Sequence, residues 1–453
     1  MENKMERERL GSRLGFILLS AGCAIGLGNV YKFPYLVGQN GGGLFVLIYL
    51  AFLCLLGIPV MTMEFAVGRA AQKSPAHMFQ QVEKKGSKWH LHGYVCLIAS
   101  YVLLMCYTTI AGWLIRFFVD TAKGDFAGLD SNGIADHFGN VVGNTGANIF
   151  YTGLVIFLAF LVCFTGLKQG LEKITKVMMT ALIIIMLVLV GNSLFLEGGQ
   201  EGLAFYLMPN LDNMLEAGIS NVIVAAMNQS FFTLSLGMGA MAIFGSYIGK
   251  DRTLLGESIN IACLDTFVAL ASGFIIFPAC FAYDVDVTSG GSLIFLTLPN
   301  IFNNLPGGQF WGSLFFVFMS FAALSTVFAV FEEILACTMD IFGWGRKKAC
   351  AINGITLFLL SLPCILGNSV WSDITIFGFS IMDFEDYLVS SWVLPLGSLI
   401  FVLFCTSKYG WGWDKYVEEA NQGQGPKIPK WMKYYMKYIL PLIILAVFLI
   451  GIL

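Results

Sequence analysis

Ala21-Gly22-Cys23-Ala24-Ile25-Gly26-Leu27-Gly28-Asn29 lies within an apolar stretch that is long enough to cross a lipid bilayer. Its glycines and its asparagine are unfavourable in a continuous membrane helix, because each glycine costs roughly 1 kcal/mol relative to alanine in a helix interior. Backbone groups that are freed there find no hydrogen-bond partner in lipid, so irregular backbone must be buried or line a cavity. Carbonyl groups at such a break can bind ions. The stretch therefore predicts a binding site built from main-chain atoms.

The composition predicts an all-α polytopic membrane protein. The chain has 453 residues, of which 57% are hydrophobic and 12% are charged, whereas soluble domains contain about 25% charged residues. Long uncharged runs such as 177–196 and 439–453 are typical of helices that span a bilayer. We expect no removable signal peptide and no nucleic-acid partner, because the chain shows neither a short apolar leader with a cleavage site nor a basic, aromatic surface.

Charged and Gly/Pro-rich loops divide the chain into eleven predicted spans. Their approximate limits are 13–37, 42–70, 90–122, 148–166, 170–195, 216–248, 254–283, 309–340, 347–367, 373–405 and 433–453. Lysine and arginine concentrate in the N-terminal segment and in alternate loops, and the intervening loops are acidic. By the positive-inside rule the N-terminus is cytoplasmic, and an odd number of spans then makes the C-terminus extracellular.

A second glycine-rich break, Ser235-Leu236-Gly237-Met238-Gly239, interrupts the sixth span, five spans after the first break. One broken helix at the start of each of two five-helix units is typical of an inverted-repeat transporter. Close helix packing would explain either break alone, but two breaks at corresponding positions favour a binding site. The expected units are 1–12 (cytoplasmic), 13–195 (first repeat), 196–215 (extracellular loop), 216–405 (second repeat), 406–432 (cytoplasmic loop) and 433–453 (last span).

Several motifs resemble the signature of the neurotransmitter:sodium symporter family. They are Gly26-Leu27-Gly28-Asn29-Val30-Tyr31-Lys32-Phe33-Pro34, Asn40-Gly41-Gly42-Gly43, Gly57-Ile58-Pro59 and Phe231-Phe232-Thr233-Leu234-Ser235-Leu236-Gly237. The resemblance extends over the first ten spans. It implies a LeuT-type 5+5 inverted repeat with broken first and sixth helices. Eleven spans instead of the usual twelve indicate the bacterial branch of the family, and therefore a location in a bacterial plasma (inner) membrane.

The resemblance implies two sodium sites built from oxygen ligands, which hard cations prefer. The residues implied for the first site are Ala24, Asn29, Thr233 and Asp265. Those implied for the second site are Gly22, Ile25, Ala322, Ser325 and Thr326. Taken alone, the adjacent hydroxyls of the last two residues would more readily be explained by hydrogen bonds to the preceding helical turn.

Asp265 is a carboxylate in an apolar span, which is energetically costly and indicates a function. Relatives usually carry asparagine at this position, and the chloride-dependent ones bind chloride nearby. We hypothesise that Asp265 both ligates sodium and replaces the chloride charge, so that chloride is not required. Tyr49, Gln229 and Thr233 nevertheless resemble the remaining chloride environment, and a protonated Asp265 with a local hydrogen bond is the alternative.

Gly26 indicates the class of substrate. Carriers of monoamines in this family place an aspartate there, whereas glycine offers no charge, so we expect an amino acid whose own carboxylate faces sodium. Met238 in the pocket, where relatives carry phenylalanine, predicts broad selectivity for hydrophobic side chains because its thioether is flexible. The implied substrate-binding residues are Ala24, Gly26, Leu27, Gly28, Leu103, Tyr107, Phe232, Thr233, Ser235, Met238, Thr326 and Val330.

The resemblance also implies two gates. The extracellular gate would consist of Lys32 and Asp383, with Phe232 as a lid over the ligand. The cytoplasmic gate would consist of Arg7, Tyr247, Glu332 and Asp340. Solvated charges at helix ends that contribute little are the alternative for all of these residues.

The sequence therefore predicts a sodium-coupled symporter that imports hydrophobic L-amino acids by alternating access, and not an enzyme. Its expected partners are a small-molecule substrate, two sodium ions and the lipid bilayer. An amino-acid sensor built on a transporter fold, and a sodium symporter for another small carboxylated solute, remain as alternatives.

Overall fold

The computed structural model describes residues 8, 10–283 and 293–452, and the regular structure of these residues is helical apart from isolated β-bridges. Nine of the described helices are long and apolar enough to cross a membrane. We number them by their place in the predicted series. They are span 2 (Gly43–Ala71), span 3 (Leu91–Lys123), span 4 (Thr145–Phe164), span 5 (Leu167–Leu194), span 7 (Leu254–Ala282), span 8 (Gly308–Phe342), span 9 (Arg346–Gly367), span 10 (Ile381–Thr406) and span 11 (Met432–Ile452).

The two predicted breaks are present. Span 1 consists of Arg13–Ala24 and Gly28–Gln39, which are bent by 51° relative to each other. Span 6 consists of Ile219–Thr233 and Ala240–Gly245, both too short to be counted as spanning helices on their own. The described residues thus contain nine unbroken spans and a tenth that is bent, so the predicted total of eleven depends on counting the two halves of span 6 together.

The second break is formed by left-handed backbone. Ser235 has φ 51°, Gly237 has φ 88° and Gly239 has φ 90°. A side chain at Gly237 would also meet the carbonyl oxygen of Leu394 at 2.3 Å, so glycine is required there by space as well as by conformation. This local geometry ends the first half of span 6 and begins the second half in a new direction.

Short helices lie between the spans, at Pro75–Val82, Ser131–Gly143, Gln200–Leu207, Leu211–Ala217, Leu298–Asn304 and Trp413–Ala420. The largest departure from the predicted limits is at span 10. Its helix begins at Ile381, where Ser380 caps it, whereas the sequence predicted a start at residue 373. The intervening residues are irregular and mostly exposed, because they contain turn-forming polar residues such as Ser372 and Asp373.

Span 8 lies at the centre of the protein. It packs along span 3 and also contacts spans 1 and 5, and most of its apolar surface is buried inside the protein. Its residues 322–338 are all buried. The broken spans therefore pack against a continuous helix, which positions the residues on both sides of each break.

Span 2 and the second half of span 6 approach each other closely through glycine. A Cβ atom added at Gly68 would lie 1.8 Å from the carbonyl oxygen of Ala242, and one added at Gly245 would lie 2.5 Å from that of Phe65. Both obstacles are backbone atoms of the facing helix. The two helices can keep this distance only if these positions carry no side chain.

We therefore expect Gly68→Ala to destabilise the protein by about 2 kcal/mol or more, because the new methyl group forces two packed backbones apart. The free energy or midpoint of thermal unfolding in detergent measures this effect. Gly354→Ala is the matched control, since Gly354 is also helical and membrane-embedded but an added Cβ there meets nothing within 4 Å. Equal unfolding midpoints for the two variants would contradict the tight contact.

Candidate functional site

The first break frees backbone carbonyl groups that hydroxyl groups of span 8 approach. Ser325 Oγ lies 3.3 Å from the carbonyl oxygen of Ile25 and 2.9 Å from that of Ala322. Thr326 Oγ1 lies 3.4 Å from the carbonyl oxygen of Gly22. The five residues implied for the second sodium site are thus close together. Their carbonyl and hydroxyl oxygens are the ligand types that a hard monovalent cation prefers, so the residues fit such an ion.

A second polar cluster joins spans 1, 6 and 7. The Asn29 side chain donates from Nδ2 to Asp265 Oδ1 (2.8 Å), and Thr233 Oγ1 donates to Asp265 Oδ2 (3.0 Å). The amide N–H of Gly26 donates to Asn29 Oδ1 (3.1 Å). Asp265 is completely buried. Three of the four residues implied for the first sodium site therefore contact each other, and the fourth, Ala24, ends the helix immediately before the break.

A small cavity lies beside these clusters. Its lining consists of Cys23, Ala24, Gly26, Gly28, Leu103, Tyr107, Phe232, Ser235, Met238, Thr326, Val389 and Leu394. It encloses about 10 Å³, roughly the room for the centre of one water molecule. Side chains around it must therefore move to admit a larger molecule.

Nine of the twelve residues predicted to bind substrate line this cavity. Leu27, Thr233 and Val330 do not. Leu27 donates its backbone N–H to Tyr107 Oη at 2.7 Å and so positions the tyrosine, and Thr233 belongs to the Asp265 cluster. Val330 is buried one helical turn after Thr326, further along span 8.

The cavity also contains residues that the sequence analysis missed. Val389 and Leu394 come from span 10, and Cys23 comes from the first break. Val389 lies within the π-helical turn Leu388–Val393 and Leu394 follows it directly, so this turn changes the face that both residues present. No sequence motif marks this turn, so neither residue could be predicted to line the cavity.

Gly26 is tightly enclosed at the cavity wall. A Cβ atom at this position would lie 2.3 Å from both Tyr107 Oη and Thr326 Oγ1. A larger residue would displace both of these side chains. The position therefore excludes the aspartate that would pair with a ligand amine.

Lys32 contacts Phe232, which lines the cavity. Its Nζ lies 2.9 Å from Asp386 Oδ2 and 2.9 Å from Ser390 Oγ, and it lies 4.2 Å from the centre of the Phe232 ring. Two of the residues predicted for the extracellular gate, Lys32 and Phe232, are therefore in contact. The predicted partner Asp383 does not contact Lys32. It accepts a hydrogen bond from Ser380 Oγ at 2.7 Å in the first turn of span 10, because that helix begins at residue 381.

A second charged network lies at the end of the protein that the sequence predicts to be cytoplasmic. Tyr247 Oη donates to Glu332 Oε1 at 2.9 Å, so these two predicted residues do meet. Arg346 adds a bidentate contact to Glu332, with distances of 2.7 and 2.8 Å. The sequence analysis missed Arg346. This residue lies in the first turn of span 9, and in the sequence it resembles any basic residue of a cytoplasmic loop.

Two further residues, Arg7 and Asp340, were predicted for the cytoplasmic gate. Arg7 lies outside the described residues. Asp340 Oδ2 accepts a hydrogen bond from the backbone N–H of Ser74 at 2.8 Å, and Lys73 Nζ lies 3.8 Å from Asp340 Oδ1. Asp340 therefore holds the start of the helix Pro75–Val82.

Comparison with known proteins identifies the family. The model of the sodium:neurotransmitter symporter family matches residues 7–129 and 133–453. The crystal structure of MhsT in complex with L-phenylalanine is similar to this structure, with a TM-score of 0.89, 36% identity, and coverage of 98% of this chain and 100% of that chain. The LeuT fold that the family resemblance implied is therefore confirmed.

Curated relatives agree with this assignment. An uncharacterised sodium-dependent transporter, YhdH of Bacillus subtilis (strain 168), is 34% identical over 445 residues, which cover 98% of this chain and 97% of that protein. The sodium- and chloride-dependent taurine transporter of Rattus norvegicus is 25% identical, over 98% of this chain and 78% of that protein. This chain belongs to the sodium:neurotransmitter symporter family and is a sodium-coupled membrane transporter, not an enzyme.

Proposed function

We propose that this transporter imports hydrophobic L-amino acids together with two sodium ions. The observation that carries the proposal is the cavity wall at Gly26. There an uncharged backbone and the Tyr107 hydroxyl offer a site for a carboxylate, while Leu103, Met238 and Leu394 line the rest of the cavity with apolar groups. A solute that carries both a carboxylate and an apolar side chain fits a cavity with one polar wall and an otherwise apolar lining.

The proposed sodium ligands are those that the sequence analysis implied. The hydroxyls of span 8 and the carbonyls of the first break would bind one ion, and Asn29, Thr233 and Asp265 with Ala24 would bind the other. Sodium would supply positive charge for the substrate carboxylate. In the absence of the ion, hydrogen bonds among the same oxygens hold the ligands in place, so little rearrangement is needed on binding.

The proposed cycle is alternating access across the membrane of a bacterial cell, with a cytoplasmic N-terminus and an extracellular C-terminus. The two repeats, 13–195 and 216–405, would move relative to each other, and the Lys32 and Arg346 networks would open in alternation. The ion pairs of both networks, Lys32 with Asp386 and Arg346 with Glu332, are formed in this structure. The membrane potential would favour sodium entry by about 2.3 kcal/mol per charge per 100 mV.

Uptake into proteoliposomes tests the function. With a sodium gradient, we expect accumulation of labelled leucine, competition by unlabelled phenylalanine and tryptophan, and little competition by glutamate, lysine or taurine. Collapse of the sodium gradient should abolish accumulation. Binding of leucine without accumulation would instead support a sensor, and strong competition by glutamate or lysine would contradict the proposed apolar pocket.

Chloride dependence tests the proposed role of Asp265. The native protein should accumulate leucine equally when chloride is replaced by gluconate, because a buried carboxylate already supplies the negative charge beside sodium. Asp265→Asn removes that charge while keeping the size of the side chain. We expect its uptake to fall by about tenfold without chloride and to recover in part when chloride is added.

Thr297→Val is a matched control for this test, because Thr297 is a buried polar residue outside the cluster. Its uptake should not respond to chloride. Native uptake that requires chloride would contradict the proposed substitution of chloride by Asp265.

A pair of variants in span 10 tests the outer gate. Asp386→Asn removes the partner of Lys32, and since this ion pair is partly exposed, it is worth about 0.5–1 kcal/mol. We expect uptake at low leucine concentration to fall by about two- to fivefold. Asp383→Asn, three residues earlier, should leave uptake near the native value because Asp383 bonds only within its own helical turn among the described contacts. The opposite order of effects would show that Asp383 is the partner of Lys32.

A further inference from the structure

Glu333 is a completely buried carboxyl group in the middle of span 8. Its neighbour in sequence, Glu332, forms the cytoplasmic network with Tyr247 and Arg346. Consecutive residues of a helix point about 100° apart, so Glu333 faces a different part of the interior. None of the ion pairs found among the described residues includes it.

The surroundings of Glu333 are short of hydrogen-bond donors. Neither of its carboxyl oxygens has a hydrogen-bond partner among the described residues. The Ser100 hydroxyl of span 3 lies beside the carboxyl group, but it donates its hydrogen to the carbonyl oxygen of Cys96 at 3.0 Å. A buried carboxyl group whose oxygens have no hydrogen-bond partner suits the neutral, protonated acid, because a buried charge without a partner is energetically costly.

Four titratable groups face Glu333, and one of them, the Glu64 carboxyl group, disfavours a negative charge there. They are Glu64 of span 2, Cys23 of span 1, Cys96 of span 3 and Cys337 of span 8. Glu64 accepts a hydrogen bond from the backbone N–H of Gly237 at 2.5 Å, and this bond to the second break suits an ionised carboxylate. Two neighbouring buried carboxyl groups do not readily ionise together, so the charge belongs on Glu64 and the proton on Glu333.

A metal cation is a poorer occupant than a proton. Hard cations take about six oxygen ligands, whereas the side chains identified around Glu333 are three thiols, one hydroxyl and one carboxyl group. The described residues contain no group of three or more His, Cys, Asp or Glu side chains placed to hold a metal ion. A single proton satisfies the carboxyl group without further ligands.

We propose that Glu333 is a proton-binding site that couples closure of the cytoplasmic side to proton uptake. The site lies between the cavity and the cytoplasmic network, since Cys23 lines the cavity and Glu332 belongs to the network. When the cytoplasmic side opens, water hydrates the carboxyl group and accepts its proton, which leaves a carboxylate. Closure requires that one proton return from the cytoplasm to Glu333, because the ionised form cannot be buried beside Glu64.

Internal pH tests this proposal in proteoliposomes of defined orientation. At constant external pH, raising the internal pH from about 6 to about 8 should slow native leucine uptake by at least threefold, because closure then lacks protons. Glu333→Gln keeps the shape of the neutral acid and should remove this slowing. Glu333→Asp keeps a titratable group and should retain it. Glu201→Gln is the matched control, because Glu201 is an exposed residue of the short helix Gln200–Leu207, which lies outside the spans. This variant should behave as the native protein.

Thermal unfolding in detergent tests the same site without any substrate. A folded protein that holds a proton which the unfolded chain releases loses stability as the pH rises. The temperature midpoint of unfolding of the native protein should therefore fall more steeply, as the pH rises from about 6 to about 9, than that of Glu333→Gln. Glu201→Gln should keep the native slope. Because this measurement needs no transport, it remains decisive if leucine proves not to be a substrate.

Two results would overturn the proposal. The first is equal pH slopes of unfolding for the native protein and Glu333→Gln. The second is stabilisation by sodium or potassium ions, at constant ionic strength, that Glu333→Gln abolishes, since this would assign the site to a metal cation.

Discussion

The structure depends on how the backbone groups freed at its two helix breaks are satisfied inside the protein. At the first break, the hydroxyls of Ser325 and Thr326 approach the freed carbonyls, and the Tyr107 hydroxyl accepts the N–H of Leu27. At the second break, the Glu64 carboxylate accepts the N–H of Gly237. Lipid could satisfy none of these groups, so spans 2, 3 and 8 must surround the broken spans. The same oxygen atoms that satisfy the backbone are those that we propose as sodium ligands.

Much of this arrangement could be predicted from the sequence, because its signals are chemical exceptions within apolar stretches. Glycines at the two breaks, the hydroxyl pair in span 8 and the aspartate in span 7 are each conspicuous in a hydrophobic helix. The limits of most spans were predicted within a few residues, since charged loops bound them. The structure brings these conspicuous residues together, although their roles in binding remain proposals.

The sequence was less informative where the rotation or the start of a helix decides the contact. Asp383 and Asp386 are chemically equivalent and three residues apart, and only the start of span 10 at Ile381 determines which one meets Lys32. Val389 and Leu394 reach the cavity beside a π-helical turn that no motif marks. Arg346 resembles any basic residue of a cytoplasmic loop until the fold places it against Glu332.

Span 8 relates these features to one another. Along a single unbroken and largely buried helix lie the hydroxyl pair at the first break, the proton site that we propose at Glu333 and the carboxylate of the cytoplasmic network. Between Thr326 and Glu332 there are fewer than two helical turns, about 9 Å of rise. A rigid helix keeps these groups at constant spacing. Binding of an ion or a proton at one group therefore affects the others through the short halves of spans 1 and 6 that pack against the helix. Coupling in this protein therefore requires that the broken spans and span 8 move relative to each other, since a displacement shared by all three would leave every contact between them unchanged.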